Sequence, residues 1–153
     1  MSNPAKLLAV AILTASTATA FGSPPMGTWR LNPDKSHYDP GPSPLKSFTL
    51  KFEPAEQGMY RVTATGEMSD GAPIHTTYVL RDDGKNYPVT NAPFDTISVR
   101  RIDANSQLVV TKLHGKIIQR TRAVFSGATM TETGEGIDPS GRPFHSVEVL
   151  EKQ

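Results

Sequence analysis

Gly27-Thr28-Trp29-Arg30-Leu31-Asn32 holds the only tryptophan of a 153-residue chain and opens a long succession of short extended segments and tight turns. A lone large ring at the head of such a chain reads as the first strand, with the indole plugging one end of a barrel or sandwich. Trp29 is therefore assigned a structural role. The residues before it differ in kind, and those after it contain no stretch of helical periodicity.

Downstream, 33–44 carries four of the chain's prolines, at Pro33, Pro40, Pro42 and Pro44. Proline lacks a backbone donor and fixes its own φ, so this segment is expected to be a long loop or end-cap. From residue 46 the pattern changes to alternation. Phe48, Leu50 and Phe52 share one face of 46–53, and Tyr60, Val62 and Ala64 share one face of 59–67. Period-two alternation is the mark of a half-buried strand. Ser69-Asp70-Gly71, Asp82-Asp83-Gly84-Lys85, Asp103-Ala104-Asn105-Ser106, Gly115, Ser126-Gly127 and Asp138-Pro139-Ser140-Gly141 then punctuate further strands at 74–81, 86–90, 95–102, 107–114, 116–125, 128–135 and 144–151. The fold class this predicts is all-β: a single domain at 27–153 forming an antiparallel up-and-down β-barrel of about 8–10 strands, closure being favoured because it removes exposed edges.

An internal repeat fits that reading. Thr63-Ala64-Thr65-Gly66-Glu67 recurs as Thr131-Glu132-Thr133-Gly134-Glu135, and Gly71-Ala72-Pro73-Ile74-His75-Thr76 as Gly141-Arg142-Pro143-Phe144-His145-Ser146. The second copy has a turn two residues longer. Residues 46–81 and 116–151 are thus expected to be related three-stranded meanders.

The N-terminus reads as an export address. Lys6 supplies the positive charge, 7–13 are apolar, and Ala18-Thr19-Ala20 is a small-residue cleavage site. This is the layout of a secretory signal peptide over 1–20, cleaved after Ala20, with an apolar run too short to span a bilayer. A Pro-rich leader occupies 21–26. The mature chain would carry 15 basic and 15 acidic side chains, so nothing draws it electrostatically to nucleic acid. Cys is absent, which removes disulfides, thiolate metal sites and cysteine nucleophiles.

Candidate binding residues come from the strand faces. The expected inner sets are Ile117, Gln119, Thr121, Ala123 and Phe125 in 116–125, with Arg120 and Arg122 outside, and Met130 with Glu132 in 128–135. In the last strand His145, Val147 and Val149 are placed together on the inner face, and through the repeat His75, Thr77 and Val79. His75, His145, Tyr60, Glu132 and Gln119 are accordingly the candidate ligand contacts: a few polar anchors in a mainly apolar wall. The spacing provides no metal site, no cofactor motif and no catalytic constellation, and an enzyme is the less favoured reading.

Gly27-x-Trp29 resembles the opening motif of lipocalins. The wider set, 27–32 with Lys35-Ser36 and Pro42-Ser43-Pro44, then 83–90 and 101–105, is similar to a group of small, secreted, lipocalin-like bacterial proteins. That resemblance implies a ligand-binding barrel in which Trp29 packs at the closed end. The leading expectation is an exported, periplasmic or secreted lipocalin-like β-barrel, monomeric and without a membrane span, holding a small apolar ligand in its interior. The alternative is a module that binds another protein through 33–44, as an exported inhibitor or envelope-stress factor. An outer-membrane barrel is disfavoured by Lys51, Arg61, Arg120 and Arg122, which a lipid-facing wall would not carry.

Overall fold

Alternating sequence becomes alternating wall. The computed structural model describes residues 23–153, so the signal peptide expected over 1–20 and the first residues of the leader lie outside the described residues. Eleven strands run in chain order: β1 (Gly27–Leu31), β2 (His37–Asp39), β3 (Leu45–Pro54), β4 (Tyr60–Met68), β5 (Pro73–Leu80), β6 (Tyr87–Pro88), β7 (Thr96–Asp103), β8 (Ser106–Leu113), β9 (Lys116–Ser126), β10 (Thr129–Ile137) and β11 (Pro143–Lys152). All paired neighbours are antiparallel, in the order β5-β4-β3-β1-β11-β10-β9-β8-β7-β6, with β2 also on β11. The result is a nearly closed all-β barrel with no α-helix among the described residues.

β1 and β2 act as one interrupted strand along β11. Trp29 faces Lys152 and Leu31 faces Leu150, and His37 then faces Val147. Between them Pro33–Lys35 makes a single 3-10 turn, whose Asn32 side chain accepts from the Asp34 amide. Ser36 spans the break: its hydroxyl donates to Asn32 O at 2.7 Å and accepts from Val149 N at 3.0 Å. Residues 33–44 are therefore not wholly a loop. Pairing survives because β2 uses only the non-proline residues between Pro33 and Pro40.

The meanders β3–β5 and β9–β11 turn corresponding faces inward. Val62, Ala64 and Gly66 are matched by Met130, Glu132 and Gly134. Gly66 and Gly136 mark the same strain point in each: a Cβ would lie 2.1 Å from Ser47 O in the first and 2.3 Å from Ile118 O in the second. The longer second turn shifts this glycine by two residues.

The sheet does not close by a full ladder. β5 and β6 are the ends of the strand path. At one end of this gap the segment after β5 crosses to β7, where Gly84 N donates to Val99 O at 2.8 Å and Asp83 bridges to Arg100. Farther along β5, the Thr76 hydroxyl donates to Asn91 O at 2.5 Å.

One end of the barrel is solid. Trp29, Leu80, Met130 and Leu150 are completely covered, with Phe52, Tyr60, Val62, Ala123 and Phe125 packed around them. The indole meets the Phe125 ring edge-on at 5.6 Å, and its Nε1 donates to Pro25 O at 3.2 Å, tying the leader to the barrel floor. Lys51, Arg61, Arg120 and Arg122 are exposed on the outer wall. Among the described residues no helix is long and apolar enough to cross a membrane.

Candidate functional site

The inner wall divides into a packed floor and a looser half. Above the floor, Phe48, Ile74, Tyr78, Val109, Gln119, Glu132 and Glu148 all face inward yet remain partly accessible. Their inward-facing neighbours Thr76, Ile97, Thr111, Thr121, Phe144 and Ser146 are buried. This half carries most of the interior's polar groups.

Its floor-level pair is Glu132 on β10 and Glu148 on β11. They are direct register partners, two residue pairs along from Met130 and Leu150 and so the next inward-facing pair. Cross-strand neighbours project to the same side of a sheet with their Cβ atoms about 5 Å apart. Burial together with the nearby Glu148 carboxylate pushes Glu132 up to about 8. Glu148 is also raised, through burial. Neither carboxylate has a hydrogen bond or ion pair with any described residue. Tyr78 faces inward from β5, and its phenol is raised by burial first and then by the charge of Glu132. Its hydroxyl likewise bonds to no described residue.

Higher in the same half, Gln119 Nε2 donates to Thr121 Oγ1 at 3.0 Å. Gly134 is closely covered there, since a Cβ would come within 2.9 Å of Ser146 Oγ. At the rim Tyr38 stacks on Phe144, with ring centroids 5.1 Å apart. Between β2 and the start of β3 lies a small cleft of about 40 Å³ lined by Leu31, Ser36, His37, Tyr38, Leu45 and Glu148.

The sequence-derived candidates separate. Gln119 and Glu132 face the looser half. Tyr60 faces inward but sits in the packed end, where its hydroxyl donates to Asp82 Oδ1 at 2.5 Å. His75 and His145 are exposed on the outer wall, with Thr77, Val79, Val147 and Val149 on the same outward side. The expected inner face of β5 and β11 is therefore inverted: Thr76, Tyr78 and Leu80, and Phe144, Ser146, Glu148 and Leu150, face in. Both faces of these strands carry apolar residues, so alternation alone does not choose between them; pairing with Met130 and Glu132 does. Ile117, expected inside, is exposed near the start of its strand. Glu148 and Tyr78 escape the sequence reading for this reason. Counting pairs back from the Asp138–Gly141 turn would have set Glu148 opposite Glu132. Among the described residues no three His, Cys, Asp or Glu side chains group to hold a metal.

The fold has solved counterparts. A substituted form of the fluorescent protein UnaG matches with a TM-score of 0.57 at 15% identity, over 84% of this chain and 95% of that one. Wild-type UnaG matches with a TM-score of 0.52 at 12% identity, over 84% and 96%. A zebrafish ileal bile acid-binding protein complexed with cholic acid gives 0.47 at 10% identity, over 88% and 100%. At such identities the likeness is one of fold. No protein-family model and no curated protein matches the chain.

Proposed function

We propose that this chain is an exported lipocalin-like barrel that takes a small, largely apolar molecule into the looser half of its interior. One observation carries the reading: inward-facing side chains above the packed floor stay partly accessible, and among them are polar groups with no protein partner. Such groups fit a wall that meets a ligand better than one that meets itself. Phe48, Ile74 and Val109 supply apolar surface beside them.

Titrating the full chain with an environment-sensitive hydrophobic dye tests the reading. Saturable fluorescence is expected, and it should be weakened by Val109→Trp, which enlarges an inward-facing side chain of β8. A signal that never saturates, or is indifferent to that substitution, overturns it. Export belongs to the same proposal and rests on the layout of 1–20. N-terminal sequencing of protein recovered from outside the cytoplasm should begin at Phe21.

A further inference from the structure

We propose that the outer wall of β7–β9 docks on a bilayer of anionic phospholipid, against which the barrel lies without entering it. The wall acts apart from the interior and does not depend on what the interior holds.

Strand register builds this face row by row. Arg100, Leu108 and Arg122 are cross-strand partners, then Ser98, Val110 and Arg120, then Thr96, Lys112 and Ile117. Their alternates Ile97, Val99, Gln107, Thr111, Thr121 and Ala123 are buried, so these rows face out. Neighbours within a row stand about 5 Å apart, which interleaves cations with aliphatic side chains across three strands. Arginine stems run along such apolar surface and carry their charge outward.

Charge sets this wall apart. β7, β8 and β9 contain one acidic residue, Asp103, and Glu135 stands opposite Arg120 on β10. Among the described residues none of Arg100, Lys112, Lys116, Arg120 and Arg122 is in an ion pair. Lys112 donates to the neutral Asn86 Oδ1 at 3.1 Å. On β3–β5, by contrast, Glu67 holds Lys46 at 2.7 Å and Glu53 holds Lys51 at 2.8 Å, which leaves Arg61.

Exposure sets it apart independently. The exposed large apolar side chains among the described residues are Ile102, Leu113, Ile117, Val124, Ile137 and Val147. All lie on β7–β11, and the first four lie on β7–β9. Uncovered apolar surface and unneutralised positive charge therefore share one side of the barrel.

A bilayer surface suits that combination. Clustered Lys and Arg are drawn to a negative leaflet, and aliphatic side chains reach into the headgroup boundary. Single-stranded nucleic acid needs rings on which its bases stack, and tight protein interfaces draw on aromatic anchors. Phe125, the one aromatic ring of these three strands, is turned into the core. The same arginines keep the wall out of the hydrocarbon.

Flotation of the full chain with vesicles tests the docking, using phosphatidylcholine alone and an equal mixture with phosphatidylglycerol. Binding to the mixed vesicles alone is expected, and it should fall as salt shortens the Debye length. Arg120→Gln with Arg122→Gln should weaken it about 25-fold, at about fivefold for each charge. Lys46→Gln with Lys51→Gln, which removes as much charge from the β3 wall, should leave it nearly unchanged. Each variant is checked for native circular dichroism, and Arg100→Gln with Arg120→Gln replaces the first pair if that pair fails to fold. Equal losses from the two walls would reduce the effect to net charge and overturn the face. Binding to both vesicles alike, or to neither, also overturns it. Capture of polyglutamate or oligothymidylate as tightly as the mixed vesicles would assign the face to an acidic protein or a nucleic acid instead.

Discussion

The Tyr60 hydroxyl and the Asp82 carboxylate meet at 2.5 Å in the fully covered end of the barrel. Asp82 also accepts from Arg101 at 2.6 Å and from Gln107 Nε2 at 2.9 Å. One carboxylate thus joins β4, β7 and β8 to the segment after β5, beside the gap where the strand ladder stops. Asp82→Ala leaves the Arg101 charge without its carboxylate and should cost about 3–5 kcal/mol. Tyr60→Phe removes one donor and should cost about 1–2 kcal/mol. Urea unfolding of the two variants checks the order, and equal small losses would show that the cluster does not hold the gap.

Trp29 is the only tryptophan and is completely covered. Trp29→Ala should lose about 3–5 kcal/mol through the cavity it leaves, and Trp29→Phe distinctly less. The indole sits below Met130 and Leu150, away from the looser half. Its intrinsic emission should therefore track unfolding but stay nearly constant as a ligand is added. A large emission change on binding would move the site to the floor.

Glu132 makes stability depend on pH in an unusual direction. Its folded value is about 8, against an ordinary 4.5. Across that window the folded chain holds a proton that the unfolded chain has released, so stability falls as pH rises, by at most about 1.4 kcal/mol per pH unit. The groups facing it, Glu148 and Tyr78, are themselves raised and do not reverse the sign. Asp138, held down to about 2 chiefly by the Ser140 hydroxyl, acts oppositely but only in stronger acid. Wild type should unfold at lower urea near about pH 8 than near about pH 5, and Glu132→Gln should flatten the difference. A midpoint that climbs with pH in wild type would contradict the placement of Glu132.

Gly66 and Gly136 each lie against a carbonyl of the neighbouring strand. Gly66→Ala puts a methyl into Ser47 O, and Gly136→Ala puts one into Ile118 O and the Phe144 ring. Each should cost about 1–3 kcal/mol by overpacking. Gly127→Ala meets no atom within 4 Å and isolates the conformational cost of a turn glycine. Thermal unfolding of the three variants separates crowding from backbone preference.

Much of this architecture is legible in residue order. Alternation in β3, β4 and β9, with Asp and Gly at the turns, is enough to define strands and most inner faces. Trp29 marks the closed end because nothing else in the chain is large enough to fill it. The looser half is harder to read. His75 and His145 stand out as polar residues in a repeat, but the inward face of their strands is set by register with β4 and β10. Tyr78 and Glu148 sit one position along from the residues expected inside, and they become visible only when the strands are paired. The path of β2 is hidden by prolines on either side of three residues that can still pair.

Trp29 on the first strand faces Lys152 on the last. The two ends of the domain are therefore each other's neighbours, and most of the wall lies between them in chain order. As residues are added at the ribosome, β1 can find β3 early, but its other edge stays bare until the final strand emerges. Until β11 pairs with β1 the strand path is in two pieces, β5 to β1 and β10 to β6, and no continuous wall encloses an interior.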